Sequence, residues 1–309
     1  MITKKFKLVK KIANRYFGYT NCEKFVLLTF DNNYVYQAIN LMMSISKFNK
    51  NVSFICLCNE LSGDKEKELF AAFTSPTGIL LYEYEMLFTF SSLRWVPTTV
   101  YRVFSPYLID EPIDKVLYLD ADMICTGNLD KLFELNDYYI CMATEIGANI
   151  FVSEVRNGIQ HVLNDSLLYC NAGTALINLK KIHNTYTFDE IFNCFFEKID
   201  ELRFLDQDFL NWFFSDKLVR INGFIYDFQP YELKGSTFYK QALNNAKLIH
   251  FTSGKPWDRD CDLWLMRIYL KHSVYKPMIC LVKHEIKRNI QLFPSKKATH
   301  IFKKLVNRS

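Results

Sequence analysis

Short apolar runs that end in polar clusters alternate along this chain with stretches whose apolar residues recur at helical spacing. "KFVLLTF", residues 24–30, has strand length and ends on "DNNYV", so it reads as a buried strand passing into a loop. "YQAINLMMSISKFN" then takes a helical period, and "VSFICLC", residues 52–58, returns to strand character. Strand, helix and strand within about 30 residues open a parallel α/β sheet. "KEKELFAAF" continues as helix, "GILLYEYE" as strand, and "TTVYRVFSPYLI" as a helix leading into "KVLYLDAD". "YYICMATE" and "TALINLKKI" read as further strands, "FDEIFNCFFEKIDELRF" and "QDFLNWFF" as helices. "AKLIHFTSGKPW" reads as a last strand that delivers His250 to a loop. Ligands of open α/β sheets collect beyond the carboxyl ends of strands. Three polar clusters, "DNNY", "DAD" and "HFTSGKPW", fall at such ends.

Composition changes this picture little. Of the 309 residues 50% are hydrophobic and 16% aromatic, so the chain has ample material for a core. With no Pro, Gly or Ser-rich divider in the middle, one large domain with terminal additions is the simplest organisation. Charge is more informative. Eleven Lys/Arg and a single acid, Glu285, lie between Arg267 and Ser309, and six Lys/Arg with no acid lie before Gly18. The net +5 of the whole chain then leaves −11 for the middle. Basic ends on an acidic body exclude a general nucleic-acid binder and favour an anionic membrane surface as partner for the ends. The nine cysteines show no Cys-x-x-Cys pair, and several sit in apolar runs such as "FICLC". That usage predicts a reducing compartment without disulfide framework or zinc site. No signal-peptide segment or membrane-spanning run is visible, so the expectation is a cytoplasmic protein, soluble or peripheral on the inner face of the cell membrane.

The sharpest chemical signal is "VLYLDAD". Ending a buried strand on Asp120 and Asp122 costs desolvation and mutual repulsion unless a cation compensates. A hard divalent ion such as Mn²⁺ or Mg²⁺ bridging a diphosphate would do so. A polar surface turn and a phosphatase nucleophile are the alternatives. The first fits poorly behind four apolar residues, and the second lacks its downstream acid and lysine motifs.

Taken in order, "TFDNNYVYQAINLMMSI", "TTVYRVFSPYLI", "DKVLYLDADMICTGNLDKLFEL", "YCNAGTALINLKKI", "LDQDFLN" and "HFTSGKPW" resemble glycosyltransferase family 8, in particular its bacterial lipopolysaccharide galactosyl- and glucosyltransferases. The resemblance runs over residues 24–258. It implies an α/β GT-A fold, a single Rossmann-like mixed sheet flanked by helices. It also implies transfer of a hexose from a UDP-sugar with retention of anomeric configuration. Carried onto matching positions, Asp120, Asp122 and His250 would hold Mn²⁺ or Mg²⁺. Lys255, beside Gly254, would contact the diphosphate, although "HFTSGKPW" places four residues between His and Lys where the family usually has five. Thr29, Asp31, Asn33 and Tyr34 match the uridine-binding segment, where an aromatic ring can stack on the base. Asp31 serves equally well as a helix cap. Arg102 would reach the donor sugar and phosphates, and Asn171 and Ala172, ahead of Gly173, would lie close to the sugar. Asp206 and Gln207 match the positions that hold the donor hexose and face its anomeric carbon. An amide is a feeble nucleophile. Front-face substitution assisted by Gln207 and double displacement through Asp206 or Asp208 therefore both stay open, as does a purely structural capped helix in "DQDFLNWFF".

The expected organisation is a basic N-terminal segment 1–20, a GT-A catalytic domain 21–265 and a basic helical tail 266–309. In the tail, Leu281, Val282, Ile286 and Ile290, then Ile301, Phe302, Leu305 and Val306, can form apolar faces opposed to cationic ones. Membrane-surface docking is expected there; the plainer alternative is a tail packed on the body. The function expected is a metal-dependent retaining galactosyl- or glucosyltransferase acting on a lipopolysaccharide core or other cell-surface glycan or glycolipid. A UDP-sugar-binding protein without turnover and a self-glucosylating glycogenin-like protein are the competing readings.

Overall fold

The computed structural model describes residues 4–18, 22–73, 76–88, 98–146 and 169–292. Its centre is an eight-stranded mixed sheet. In chain order the strands are β1 (Phe6–Ala13), β2 (Lys24–Asp31), β3 (Val52–Asn59), β4 (Ile79–Met86), β5 (Val116–Leu119), β7 (Ile140–Thr144), β8 (Cys170–Ile177) and β9 (Leu218–Ile221). The spatial order is β1-β4-β3-β2-β5-β8-β7-β9. Strands β2 to β5 run parallel, whereas β1 and β8 run against their neighbours. A separate pair joins β6 (Met123–Cys125) to β10 (Leu248–His250).

The period-2 alternation of each strand sorts its side chains into two apolar layers. Val26, Leu28 and Phe30 of β2 face α1 (Val35–Phe48), and Leu27 faces the opposite layer with the helix over Thr98–Leu108. In β5, Leu117 and Leu119 take the first side, Val116 and Tyr118 the second. The second layer is rich in phenylalanine: Phe104 meets Phe188, Phe192 and Phe195 at ring separations of 5.6 to 5.8 Å. The helix carrying these three rings, Phe188–Lys198, starts on a capping box between Thr187 and Glu190 and stops at a 3-10 turn, Ile199–Glu201, so "FDEIFNCFFEKIDELRF" is not one continuous helix. "TALINLKKI" also divides. Its first half ends β8, and Asn178 caps a helix over Leu179–Thr185 by accepting the Lys181 N–H at 2.8 Å.

The described parts of the two basic ends pack on the body. β1 is the edge strand of the main sheet, with Phe6 buried and Lys7, Lys10 and Lys11 paired to Glu85, Glu66 and Asp110 at 2.7 to 2.8 Å. Those pairs set the N-terminal positive charge against the acidic middle. At the other end, the helices over Leu263–His272 and Lys276–Leu292 put Met266, Tyr269, Met278, Val282 and Ile286 into the core layer of α1. Asn40 of α1 ties this corner together, donating to Tyr269 at 2.9 Å and accepting the Val274 and Tyr275 N–H groups at 3.0 Å. Val282 and Ile286, read from the sequence as part of an exposed apolar stripe, are buried, and Leu281 packs partly against the same layer. Ile301, Phe302, Leu305 and Val306 lie outside the described residues. Among the described residues no helix is long and apolar enough to cross a membrane. The nine cysteines, all among the described residues, form no disulfide with one another.

Candidate active site

β2 and β5 are adjacent and parallel, so Asp31 and Asp120 emerge at the same edge of the sheet. β8 runs antiparallel to β5 with Thr174 opposite Leu119, which brings Asn171, Ala172 and Gly173 to that edge as well. The backbone fixes the junction: Asp120 N–H donates to Gly173 C=O at 2.9 Å, and Phe251 N–H to Asp122 C=O at 3.1 Å. In the small sheet His250 is the partner of Met123, directly after Asp122. A cleft of about 350 Å³ opens here, walled by Thr29, Asp31, Tyr34, Arg102, Asp120, Asp122, Ala172, Asp206 and Gln207.

His250 is buried, and its Nε2 lies 3.1 Å from Asp122 Oδ1 and 3.7 Å from Asp120 Oδ2. One ligand atom from each of the three residues falls within 4.8 Å of the other two. Asp122 Oδ1 is buried and, among the described residues, receives no aligned hydrogen bond. An orphaned carboxylate oxygen facing an imidazole and a second carboxylate is costly by itself and fits a divalent cation. Lys255 Nζ contacts the other Asp122 oxygen and also donates to Phe251 C=O at 2.8 Å. Burial works against the charged Asp122, but Lys255 and His250 overcome it and hold the carboxyl far below its usual range. Burial likewise opposes a charged His250, and the carboxylates of Asp227 and Asp122 outweigh it, raising the imidazole well above its usual value.

Behind the Asp pair, Arg102, on the helix over Thr98–Leu108, is a buried cation set between two carboxylates. It contacts Asp120 Oδ1 through Nη2 at 2.7 Å, Asp206 Oδ2 through Nε at 2.9 Å and Ala172 C=O through Nη1 at 2.9 Å. Its guanidinium lies 4.3 Å from the centre of the Tyr118 ring. Tyr118 in turn donates to Asp120 Oδ1 at 2.5 Å and shares a 3.1 Å hydrogen bond with Thr29. Burial pushes the Asp206 carboxyl up to about 7, against the pull of Arg102 and with the push of Asp120. Gln207 is pinned at both ends of its amide: Oε1 accepts the Ala172 N–H at 3.0 Å and Nε2 donates to Tyr169 at 3.1 Å. Leu205, just before this pair, has φ +38°, a conformation strained for a branched side chain, and it turns Asp206 and Gln207 into the cleft.

Of the residues expected from the resemblance to bind uridine, Thr29, Asp31 and Tyr34 line the cleft. Asp31 is also a cap, accepting the Asn33 N–H at 2.9 Å. Asn33 is exposed and turned back to Asp31 at 3.3 Å. Asn171 is buried beside the cleft, donating to Glu145 at 2.7 Å and accepting the Gly173 N–H at 2.7 Å. Gly254 stands off the cleft wall, with Leu265 as its nearest neighbour. Asp208 faces away, holding Tyr169 and the Phe204 N–H.

Sequence reasoning missed four participants. Tyr118 was visible only as an aromatic in "VLYL". Asp227 sits in a loop with no local signature. Thr98 and Phe204, on the cleft wall, are ordinary residues made relevant by the fold. Gly173 acquires a physical reason: a Cβ there would overlap His250 Cε1 and Nδ1, so only glycine lets the imidazole settle against β8.

A mixed sheet that delivers an Asp-x-Asp and a late histidine to one cleft is the GT-A glycosyltransferase architecture, and solved structures agree in fold. The galactosyltransferase LgtC, solved with donor and acceptor sugar analogs, superposes with a TM-score of 0.65 at 22% identity, covering 83% of this chain and 99% of that one. The glycosyltransferase GlyE of Streptococcus pneumoniae gives a TM-score of 0.61 at 22% identity, over 87% of this chain and 64% of its own. The family model described as Glycosyl transferase family 8 matches residues 25–261, and the chain belongs to that family. Among curated relatives, a lipopolysaccharide 1,2-glucosyltransferase of Escherichia coli is 31% identical over 173 residues, 53% of this chain and 50% of the relative. The match to GlyE is 24% identical over 270 residues, 82% of this chain and 62% of the relative. The chain thus spans only part of the length of the curated relatives it matches.

Proposed function

We propose that this family 8 chain is a metal-dependent, retaining hexosyltransferase that moves galactose or glucose from a UDP-sugar to a lipopolysaccharide core or another cell-surface glycan. The observation that carries the reading is the convergence of Asp120, Asp122 and His250 within 4.8 Å at a cleft also walled by Arg102 and Gln207. Mn²⁺ or Mg²⁺ held by those three residues would supply charge compensation for a departing diphosphate.

The chain's own residues account for the rest. Thr29, Asp31 and Tyr34 form the nucleotide end of the cleft, with the half-buried Tyr34 ring offering an apolar face to a base. Lys255 stands at the metal side as a second cation for the phosphates. Arg102 holds Asp206 and Asp120 apart at fixed geometry, which keeps the sugar end preorganised. Both carboxylates considered for a covalent route are otherwise engaged: Asp206 is paired with Arg102 and Asp208 with Tyr169 and the Phe204 backbone. Front-face substitution, with the pinned Gln207 amide stabilising positive character on the sugar ring, is therefore the mechanism we favour. The acceptor reading extends to the C-terminus. Residues 293–309 carry five Lys/Arg and no acid, and Lys287 and Arg288 are exposed on the preceding helix. Attachment to an anionic membrane surface on the cytoplasmic side would then be electrostatic in the main, since the apolar residues Val282 and Ile286 are committed to the core.

The test is a panel of UDP-sugars with Mn²⁺, scored for UDP release and repeated with candidate oligosaccharide acceptors. Release from UDP-galactose or UDP-glucose supports the proposal. Binding of UDP-sugar with no turnover under any acceptor identifies a binding protein instead, and added hexose mass on the chain itself identifies self-glucosylation.

A further inference from the structure

The His250 ring is held from behind by a residue outside the motifs on which the family resemblance was read. Asp227 is fully buried, its Oδ1 lies 2.9 Å from His250 Nδ1, and among the described residues its Oδ2 has no hydrogen-bond partner. Oδ1 also accepts from the Gln229 amide, at 3.3 Å. A carboxylate buried that deeply is expensive unless a cation or a strong donor compensates. The fold brings it there deliberately. Phe228 N–H donates to Leu248 C=O at 3.0 Å and His250 N–H to Phe228 C=O at 2.8 Å, zipping residues 226–229 along β10. Gly173 packs against the ring at Cε1 and Nδ1 and leaves no room for a Cβ. With Nδ1 facing Asp227, Nε2 faces Asp120 and Asp122.

We infer that Asp227 is a positioning residue for the metal centre: by accepting the Nδ1–H it fixes the ring orientation and tautomer that leave the His250 Nε2 lone pair free for a divalent cation. This rests on the metal-site reading given above. Outer partners of this kind raise the basicity of a ligating histidine as well as aim it, and their loss typically weakens metal affinity about 10- to 100-fold.

The experiment titrates Mn²⁺ alone into the full chain, following free Mn²⁺ by electron paramagnetic resonance, for wild type, Asp227→Ala and Asp227→Asn. UDP binding and thermal melting in chelator are measured alongside. Asp227→Ala should weaken Mn²⁺ binding about 10- to 100-fold, and Asp227→Asn, which keeps an acceptor but no charge, should fall between it and wild type, with UDP binding in chelator unchanged. If the alanine variant does not fold, the asparagine variant decides: weaker Mn²⁺ uptake at a wild-type melting temperature supports the role. Wild-type Mn²⁺ affinity in the variants overturns it, and so does an equal loss of Mn²⁺ and metal-free UDP affinity, which marks a merely structural contact. A wild-type chain that takes up no Mn²⁺ overturns the metal centre and this role together, whereas wild-type uptake with unchanged variants overturns the role alone.

Discussion

Replacing Arg102 tests how the sugar end of the cleft is held. Its side chain is 8% exposed and stands between Asp206, 5% exposed, and Asp120, 24% exposed. Arg102→Met keeps much of the volume but leaves the two carboxylates without their shared cation, a change that costs about 3–5 kcal/mol when the pair is buried. Because Asp120 is partly solvated, the lower half of that range is expected. Arg102→Lys retains the charge but cannot reach Asp120, Asp206 and Ala172 C=O at once from a single ammonium, and should cost about 1–3 kcal/mol. The cost of Arg102→Met should also grow with pH. The Asp206 carboxyl sits at about 7 in the folded chain against 3.8 for the unperturbed group, and losing the guanidinium moves it higher still. At pH 5 the folded variant keeps Asp206 protonated and little charge is stranded; at pH 8 the carboxylate must ionise without a partner or hold a proton against solution. Urea unfolding followed by tryptophan fluorescence, in chelator at both pH values, reads the difference. With a slope of about 3 kcal/mol/M, a 3 kcal/mol loss moves the midpoint by about 1 M. A midpoint for Arg102→Met equal to wild type at pH 8, or a loss of the same size at both pH values, would refute the reasoning.

Gly173→Ala should push His250 off its seat, costing about 1–3 kcal/mol by overpacking and weakening Mn²⁺ uptake in a metal titration; unchanged affinity would mean the ring has slack. Asp206→Asn should abolish a pH dependence of metal-free stability. The folded pKa is raised, so the stabilisation from the bound proton is complete below about 3.8 and disappears as pH rises through about 7; between pH 4 and 6, below the range in which the raised His250 imidazole loses its proton, melting curves should fall further in wild type than in the variant. Truncation before Lys276 removes the buried Met278, Val282 and Ile286, about 1.5–3 kcal/mol each, and should yield unfolded or aggregated protein by circular dichroism. Truncation after Leu292 should lower co-sedimentation with anionic vesicles; undiminished vesicle binding would assign the basic C-terminus another role.

The sequence was most legible where chemistry and periodicity coincide. "VLYLDAD" announced a buried strand ending on paired carboxylates, and β5 and the Asp120, Asp122 pair sit as read. The helical period of "TTVYRVFSPYLI" placed Arg102 on an apolar helix, and the fold shows why a cation is tolerated there: two carboxylates and a carbonyl surround it. What stayed hidden depends on long-range pairing. β1 reads as a basic segment because its lysines face acids far along the chain, such as Glu85 and Asp110. The four-residue β9 is too short to show alternation. Val282 and Ile286 form an amphipathic stripe whether they meet lipid or α1, and only tertiary packing distinguishes the two. Asp227 acts 23 residues from His250 through a backbone zipper that no local pattern encodes.

The most direct test exchanges both Asp120 and Asp122 for asparagine and follows UDP release from the preferred UDP-hexose, with wild type assayed beside it in chelator and after Mn²⁺ is restored. Wild-type turnover should vanish in chelator and return with Mn²⁺, and the double variant should stay silent in both. Equal turnover by wild type under exhaustive chelation, or by the double variant, would contradict the metal-site reading.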